Sequence, residues 1–453
     1  MELYFQIFCY LSFLLILGTV IRGRVKIFQN LFIPASVIGG FIGLIIGPEI
    51  LGQYLSIIPS IWSKEIGKIP GILIIPVIAS VPLGMNFNLK NKKQGIKNIL
   101  NTTLILYIVT FIQLALGFVI NFLFTRLLNT PLYPTFGAEL NTGFAGGHGT
   151  AGLIGRVLQD MKLNYWSISQ GIATTVATFG LIGGIIIGVF LINHNCKKGN
   201  TSLLKNPKNI PIEMRKGFIK DTDKQPIFGH ETTVPSSVDV LAFHVAIIFS
   251  VCGISYIILG VIKKLRIPLL SSLSVWAFSM IVMFFVWDFM KRKKLQWIID
   301  TKIKGKISAL FTEFAVVSAI SALPLKAVFT YIYPLLTMII TGFIVTWWII
   351  NTLCKKYFKN NYPFERAISM MGTSFGVFFT GMLLLRICDP EFKLPVLGDY
   401  SLGFSLTALI GPLLILSSIT LALKYDPLTP VLLFIFLTVI SLLLLRYINK
   451  KKV

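Results

Sequence analysis

Two polar, glycine-rich stretches interrupt the apolar segments of this chain and contain the side chains best suited to binding a ligand. Residues 141–150 read NTGFAGGHGT, and residues 372–381 read GTSFGVFFTG. Glycine lets the backbone approach a ligand closely, and free N–H groups at the start of a half-helix attract a carboxylate. Close packing of helices through small residues is the alternative explanation of the glycines. The candidate substrate-binding residues are Gly147, His148, Gly149, Thr150, Thr373, Ser374, Thr380 and Arg386.

An arginine follows each stretch at the same spacing. Arg156 lies six residues after Thr150, and Arg386 lies six residues after Thr380. A guanidinium can bind a carboxylate through two parallel hydrogen bonds, so Arg386 is a candidate for substrate recognition. The alternatives are that the arginines extend to the lipid headgroups or that Arg386 pairs with Asp389.

Oxygen-bearing side chains near the two stretches are candidates for binding a coupling ion. They are Glu139, Asn141, Thr174, Thr178 and Thr407. Ionisable groups inside a membrane are usually functional, and the spacing of Thr174 and Thr178 puts both on one face of a helix. The alternatives are an interfacial position for Glu139 and hydrogen bonds from the threonines to their own helix.

The sequence contains no pattern that indicates a resident cofactor or metal. The five cysteines are scattered without CxxC spacing, which also gives no sign of disulfides. The stretch at 146–150 lacks the Gly-Lys-Ser/Thr ending of a phosphate-binding loop. We therefore expect no resident cofactor or metal, and we expect a protein that is not an enzyme.

The composition predicts an all-α polytopic membrane protein. Of the 453 residues, 55% are hydrophobic and only 13% are charged, and the mean hydropathy is +0.78. Many apolar windows reach the roughly 18 residues that cross a bilayer, whereas a β-barrel would show short alternating segments. The N-terminus lacks a basic region and a cleavage site, so residues 4–22 are predicted to form a retained helix.

The net charge of +24 fits a membrane protein better than a nucleic-acid-binding one. The lysines and arginines cluster in short loops beside the ends of apolar segments, as is typical of cytoplasmic loops. We therefore expect a multi-pass protein of the cell membrane, surrounded by lipid, with no nucleic-acid partner.

The apolar segments form two sets of six with one additional segment. The first set is 4–22, 32–50, 69–86, 98–125, 135–157 and 167–192. The second set is 240–262, 269–290, 307–327, 329–351, 365–388 and 401–424, and the additional segment is 428–448. The predicted domains are an N-terminal repeat at 1–192, a linker at 193–239, a C-terminal repeat at 240–424 and an additional helix within 425–453.

The two sets are weakly similar in order, which indicates an internal repeat. Ile33-Pro34 corresponds to Ile267-Pro268, and Leu181-Ile182-Gly183-Gly184 corresponds to Leu409-Ile410-Gly411-Pro412. Short or interrupted segments at matching places in two halves are typical of a transporter's binding site. We therefore expect residues 141–150 and 372–381 to be non-helical at membrane depth.

The distribution of basic residues predicts the topology. If each glycine-rich segment enters and leaves on one side, each half crosses five times and the second half is inverted. Most basic residues, with Arg366 counted among them, then lie in cytoplasmic loops, as the positive-inside rule favours. In this arrangement Met1 is outside, and the linker and Val453 are inside.

In these motifs and their order, the sequence resembles the sodium:glutamate symporter family, which is related in fold to the sodium:citrate carriers. The resemblance covers most of the chain, but the second glycine-rich stretch has less glycine than in well-known members and lacks their histidine or cysteine. The segment 428–448 is also additional. The matching residues are Ile33-Pro34-Ala35, Gly39-Gly40, Gly146-Gly147-His148-Gly149-Thr150, Ala177-Thr178-Phe179-Gly180-Leu181 and Gly183-Gly184.

The resemblance implies two inverted five-helix repeats, each with a re-entrant hairpin. It also implies sodium-coupled uptake of glutamate or a similar small carboxylate, an elevator-type movement and a homodimer. One alternative is a membrane-embedded enzyme that acts on a lipid-linked substrate through His148, Glu139 and Arg156. Another is a passive carboxylate exporter that shares the fold.

Overall fold

The computed structural model describes residues 2–30, 33–54, 59, 62, 65–84, 93–204, 221, 223, 225, 229–265, 275–389 and 393–450. Within these ranges the chain is helical and contains no strand. Several predicted features lie outside them. These are Met1, the linker residues 205–220, 222, 224 and 226–228, the pair Ile267-Pro268, the first residues of the segment 269–290, and the C-terminal residues 451–453.

In the first half, two consecutive helices, Ala138–Phe144 and Gly147–Asp160, are separated only by a short break. The described helices of this half are α1 (Glu2–Arg24), α2 (Lys26–Asn30), α3 (Ala35–Ile46), α4 (Ile69–Ser80), α5 (Lys93–Phe122), α6 (Ala138–Phe144), α7 (Gly147–Asp160) and α8 (Trp166–Lys197). A π-helical turn, Leu123–Leu127, extends α5.

The helices of the second half include a corresponding pair. They are α9 (Val240–Lys264), α10 (Val275–Arg292), α11 (Thr301–Ser321), α12 (Leu325–Thr330), α13 (Ile332–Tyr357), α14 (Pro363–Phe375), α15 (Phe378–Cys388), α16 (Val396–Lys424) and α17 (Leu428–Asn449).

Seven helices of the described chain are long and apolar enough to cross a membrane. They are Glu2–Arg24, Gly95–Leu127, Trp166–Lys197, Val240–Lys264, Ile332–Tyr357, Val396–Lys424 and Leu428–Asn449. Each matches one of the predicted apolar segments, so the prediction of a polytopic α-helical membrane protein is confirmed. Helices α3 and α4 are shorter, with 12 residues each.

The predicted segment 307–327 is displaced from the helix that forms there. Helix α11 begins at Thr301, because the Asp300 carboxylate accepts hydrogen bonds from the N–H groups of Lys302 (2.7 Å) and Ile303 (3.0 Å). It ends at Ser321, shortly before Pro324, which cannot continue a helix. The apolar pattern located the segment, and the polar cap and the proline set its ends.

The two glycine-rich stretches are mostly helical, so the expectation of extended non-helical segments is wrong. In the first stretch only Ala145 and Gly146 lie between α6 and α7, and in the second only Gly376 and Val377 lie between α14 and α15. A helix satisfies its own backbone groups, and each further residue outside it would need another partner. The break is therefore confined to two residues in each stretch.

One buried apolar cluster borders both breaks. It includes Leu140 and Phe144 of α6, Val176 of α8, Met338 of α13 and Phe375 of α14. The long helices α5 and α8 cross this cluster and pack against both broken pairs. These helices are therefore the elements that set the position of one break relative to the other.

Candidate functional site

The two breaks meet in the structure. We refer to α6 and α7 as the first broken pair with its first tip at residues 145–147, and to α14 and α15 as the second broken pair with its second tip at residues 376–377. Gly147 has a φ of +65°, and a Cβ atom built there would lie 2.7 Å from Cγ1 of Val377. Both the backbone conformation and the available space therefore require glycine at position 147.

Helix α8 passes close behind the contact between the tips. A Cβ atom on Gly180 would overlap the carbonyl oxygen of Phe375. The rings of Phe144 and Phe375 have centroids 5.3 Å apart, and Phe343 lies 4.9 Å and 4.6 Å from these two rings. These three aromatic rings close one side of the tips with apolar surface.

The structure brings His148 together with the threonines of α8. Nε2 of His148 lies 3.0 Å from Oγ1 of Thr178, and that hydroxyl donates to the carbonyl oxygen of Thr174 at 2.9 Å. Because the hydroxyl proton of Thr178 is directed to Thr174, Nε2 of a neutral His148 is assigned as the donor. All three side chains are buried. The Thr174 hydroxyl likewise donates within its own helix, to the carbonyl oxygen of Gln170 at 2.8 Å. Both threonines therefore make the helix-internal hydrogen bonds given as the alternative, and of the two only Thr178 contacts His148.

Carbonyl groups that the breaks leave without a helical partner receive side-chain hydrogen bonds. The hydroxyl of Thr150 contacts the carbonyl oxygen of Thr142 near the end of α6, and it also lies 3.1 Å from the carbonyl oxygen of Gly147, which begins α7. At the second tip, the side-chain amide of Gln113 donates to the carbonyl oxygen of Ser374 at 3.0 Å. The first break thus uses a residue of its own pair, whereas the second depends on a residue of α5.

The predicted hydroxyl residues of the second stretch support its turn. The hydroxyl of Thr373 contacts that of Tyr400 on α16, and the Tyr400 hydroxyl donates to the carbonyl oxygen of Phe378 at 2.8 Å. Oγ1 of Thr380 accepts from the N–H of Val377 at 3.4 Å. Thr373, Ser374 and Thr380 are all buried beside the second tip.

The two arginines that follow the stretches lie apart from the buried cluster. Arg386 is exposed and has no hydrogen bond or ion pair within the described chain. The carboxylate of Asp389, its suggested partner, instead accepts from the N–H groups of Lys393 and Leu394 at 2.9 Å and 2.8 Å. Nε of Arg156 lies 3.1 Å from a carboxylate oxygen of Asp160, one helical turn away.

Glu139 is fully buried inside the protein, so its carboxylate is not exposed to water. One carboxylate oxygen accepts from the hydroxyls of Tyr133 (2.8 Å) and Ser169 (2.5 Å), and the other accepts from the N–H of Gly137 (2.7 Å). These donors fix the start of α6 to α8. A direct contact between Glu139 and an ion remains a prediction.

The other two candidate ion ligands occupy different surroundings. Asn141 donates from its side-chain amide to Oε1 of Gln113 at 2.9 Å, close to the first tip. Thr407 lies on α16, where its hydroxyl donates to the carbonyl oxygen of Phe404 at 2.7 Å. Of these two residues, the structure joins only Asn141 to the hydrogen-bond network of the tips.

Sequence reasoning missed two buried polar residues that organise the site. Gln113 has 1% exposure and is a single amide within an apolar run of α5, which is the signal that could have identified it. Arg366 was assigned to a cytoplasmic loop, but it has 1% exposure and pairs with Asp399 at 2.7 Å. Arg366 lies on α14, eight residues before Ser374, and so supports the second broken pair from its base.

A cavity of about 400 Å³ reaches α8 from the end of the molecule where α8 begins. It is lined by Pro48, Glu49, Gly67, Trp166, Ser167, Gln170, Gly171, Thr174, Ala319, Ala322 and Pro324. Thr174 connects the cavity to the tips, because its carbonyl oxygen accepts from the Thr178 hydroxyl that contacts His148.

A comparison with known protein families identifies the family of this chain. The family model described as sodium/glutamate symporter matches residues 3–377. The chain belongs to the sodium/glutamate symporter family. No curated protein matches the chain.

Membership of the sodium/glutamate symporter family confirms the resemblance that the sequence motifs indicated. The match extends from α1 to the second tip, and helices α15, α16 and α17 follow it. A symporter family with several membrane-crossing helices makes this a multi-pass membrane protein of a transporter family. The family therefore gives no support to the membrane-enzyme alternative.

Proposed function

We propose that this protein is a sodium-coupled secondary transporter that imports glutamate or a similar small anionic carboxylate by alternating access. The observation that carries the proposal is the contact between the two tips beside His148 and Thr178. Broken helices meeting inside a helical membrane protein are the arrangement in which transporters bind substrates and coupling ions. The family assignment supplies sodium and glutamate as the candidate pair.

The substrate would bind at the tips, with Gly147, His148, Gly149 and Thr150 on one side. Thr373, Ser374, Thr380 and Arg386 belong to the other side in this proposal. Helices α7 and α15 both start at the tips, and the first N–H groups of a helix attract a carboxylate. The buried partners shown at the tips are neutral hydroxyl, amide and imidazole groups.

Sodium would bind close to the substrate through oxygen atoms. The preferred ligands are Thr174, Thr178 and Asn141, which are buried near the first tip. Glu139, on the same helix as Asn141, and Thr407, on α16, are the further candidates. Na⁺ acts here as a coupling ion, and the transporter needs no resident cofactor.

The proposed architecture is that of two inverted repeats, at 1–192 and 240–424, each with five membrane helices and one re-entrant hairpin. The broken pairs would be the hairpins, and the residues 193–239 would be a cytoplasmic linker. The additional helix is α17, within 425–453. In this proposal the protein is a homodimer in the cell membrane and moves its substrate by an elevator-type displacement.

The cavity that reaches Thr174 would be the route from the outside to the tips. In the proposed topology α8 begins at the outer face, where the cavity lies between α8, the loop after α3 and the end of α11. Its volume of about 400 Å³ would admit a small carboxylate together with water.

A binding experiment on purified protein tests this proposal. We expect glutamate or a related carboxylate to raise the melting temperature in Na⁺ but not in K⁺, because substrate and ion bind the same folded state. His148→Ala should lose most of this shift, whereas Arg156→Ala should retain it, since Arg156 pairs with Asp160. The absence of a Na⁺-dependent shift with any small carboxylate would overturn the proposal.

A further inference from the structure

One amide side chain connects both broken pairs. Nε2 of Gln113 donates to the carbonyl oxygen of Ser374 and to Oγ1 of Thr346, each at 3.0 Å. Its Oε1 accepts from the amide of Asn141 at 2.9 Å. The side chain therefore links α6, α13 and α14 from its position on α5.

The bond to Ser374 has a specific backbone cause. In an uninterrupted helix the carbonyl of Ser374 would accept from the N–H four residues later, but α14 ends at Phe375. Gln113 supplies the missing donor in an environment from which water is excluded, since its exposure is 1%. A carbonyl buried without a donor would be costly, so this amide stabilises the turn of the second tip.

The bond to Asn141 fixes the other side of the amide. Asn141 lies in α6, and its own carbonyl oxygen accepts from the N–H of Ala145 at 2.9 Å, at the first tip. Because Oε1 of Gln113 accepts from α6 and Nε2 donates to α14, the orientation of the amide is determined by its partners. A shift of either pair along α5 would break one of these hydrogen bonds.

We propose that Gln113 is a positioning residue that holds the second tip in register with the first and thereby shapes the substrate site. The proposal rests on the proposed function for its effect on transport, but its effect on the tips is independent of any substrate. Gln113 does not belong to either tip; it acts on the site through its hydrogen bonds to Ser374 and Asn141.

A matched control is available on the same helix. Asn121 also has 1% exposure, and its amide donates to the carbonyl oxygens of Tyr133 (3.1 Å), Pro134 (3.3 Å) and Phe136 (2.8 Å). These contacts hold the loop before α6 and do not join the two pairs. Gln113→Met and Asn121→Leu each replace a buried amide by an apolar side chain of similar size.

The first measurement is hydrogen–deuterium exchange of the purified full-length variants without substrate. For Gln113→Met we expect faster exchange in peptides covering both 141–150 and 372–381, because the shared link is lost. For Asn121→Leu we expect faster exchange around 133–138 and unchanged exchange at 372–381. Unchanged exchange at 372–381 in Gln113→Met would overturn the proposal.

The second measurement is sodium-driven glutamate uptake in proteoliposomes. We expect Gln113→Met to raise the half-saturating glutamate concentration by about tenfold, which corresponds to the loss of a hydrogen bond between neutral groups. We expect Asn121→Leu to change this concentration less than about twofold. Thr346→Ser, which keeps the hydroxyl acceptor, should behave like the wild type.

The two measurements separate the possible failures. If the wild type accumulates no glutamate, the proposed function fails, and the exchange experiment alone decides the role of Gln113. If the wild type transports and Gln113→Met shows the half-saturation of Asn121→Leu at a similar melting temperature, Gln113 has only a structural role and the proposal is wrong.

Discussion

At the two tips, polar side chains satisfy backbone groups that the broken helices leave free. Thr150 and Gln113 reach the carbonyl oxygens of Thr142 and Ser374, which lie near the ends of α6 and α14. His148 is different, because its ring bonds to a side chain, Thr178, on the neighbouring helix. A ligand could therefore take the place of Thr178 as the partner of His148 while the backbone hydrogen bonds of both tips stay intact.

At the residue scale, Arg386 remains the predicted charged contact of the substrate. It lies on α15, and six residues from Thr380 correspond to about 9 Å along a helix, within reach of a side chain that leans toward the N-terminus. Its exposed guanidinium has no ion pair in the described chain. Arg386→Ala should raise the half-saturating substrate concentration about ten- to hundredfold through loss of a charge-assisted contact.

Lysine at the same position distinguishes recognition from a general charge effect. Arg386→Lys keeps the charge but loses the planar fork, so it should restore little of the affinity. Uptake measured against substrate concentration, at matched expression of the variants, decides between substrate recognition and a general charge effect. Wild-type half-saturation in both variants would remove Arg386 from the site and leave it as a headgroup contact.

At the residue scale, an unusual backbone pattern was the signal that drew attention to single residues in the sequence. The glycine-rich motif made His148 a candidate, and the structure puts its ring against Thr178, one of the two threonines that the helical spacing selected. Gln113 was missed because the hydrophobic pattern of α5 gives no sign of which neighbours face a lone amide. Arg366 was misplaced because counting charges treats every arginine near a segment end as a loop residue, whereas Asp399 pairs with it inside the protein.

At the scale of elements, the Arg366–Asp399 pair joins α14 to α16. Nη2 of Arg366 lies 2.7 Å from the carboxylate, its Nε donates to the carbonyl oxygen of Asn361 at 2.9 Å, and the guanidinium lies 4.6 Å from the ring centre of Phe358. Arg366→Met leaves Asp399 without its partner and should destabilise the protein by about 3–5 kcal/mol. Thermal unfolding in detergent measures the loss.

A double variant tests whether the pair itself causes this loss. Arg366→Met combined with Asp399→Leu removes both charges and should recover a substantial part of the stability, because no unpaired charge stays buried. Arg446→Met, at an exposed position on α17, should change stability by no more than about 0.5 kcal/mol. A double variant as unstable as the sum of its single variants would show that the two residues act separately.

The elements followed from the sequence more closely than their interruptions did. Long apolar runs gave the seven membrane-crossing helices, because every backbone group in lipid needs an internal partner. The same rule explains why the breaks are only two residues long, although glycine density suggested ten. Sequence patterns indicate where a helix is interrupted, but the side chains of neighbouring helices determine how many residues are non-helical.

At the scale of the whole molecule, the two repeats should have opposite orientations in the membrane. The count of lysines and arginines in short loops puts Met1 outside and the linker inside. Reporter fusions after Lys216 and at Val453 should therefore both report the cytoplasm. Opposite locations for the two reporters would break the arrangement of five plus five crossings with one additional helix.

Spaced motifs in the sequence predicted a relation between the two halves, but no motif predicted the contact between the two tips. Gly147 and Val377 are far apart in the chain, and no local pattern connects them. Their approach depends on how α5 and α8 pack between the broken pairs, which is a property of the assembled core. The homodimer and the elevator movement remain predictions of the same kind.

Accumulation of glutamate in proteoliposomes tests the central claim most directly. With Na⁺ outside and K⁺ inside, the wild type should concentrate labelled glutamate above its external level, and equal Na⁺ on both sides should abolish this concentration. Thr178→Val, which loses the hydroxyl between His148 and Thr174, should require more Na⁺ for half-maximal uptake. Equilibration without accumulation under the Na⁺ gradient would contradict coupled symport and indicate a passive carrier instead.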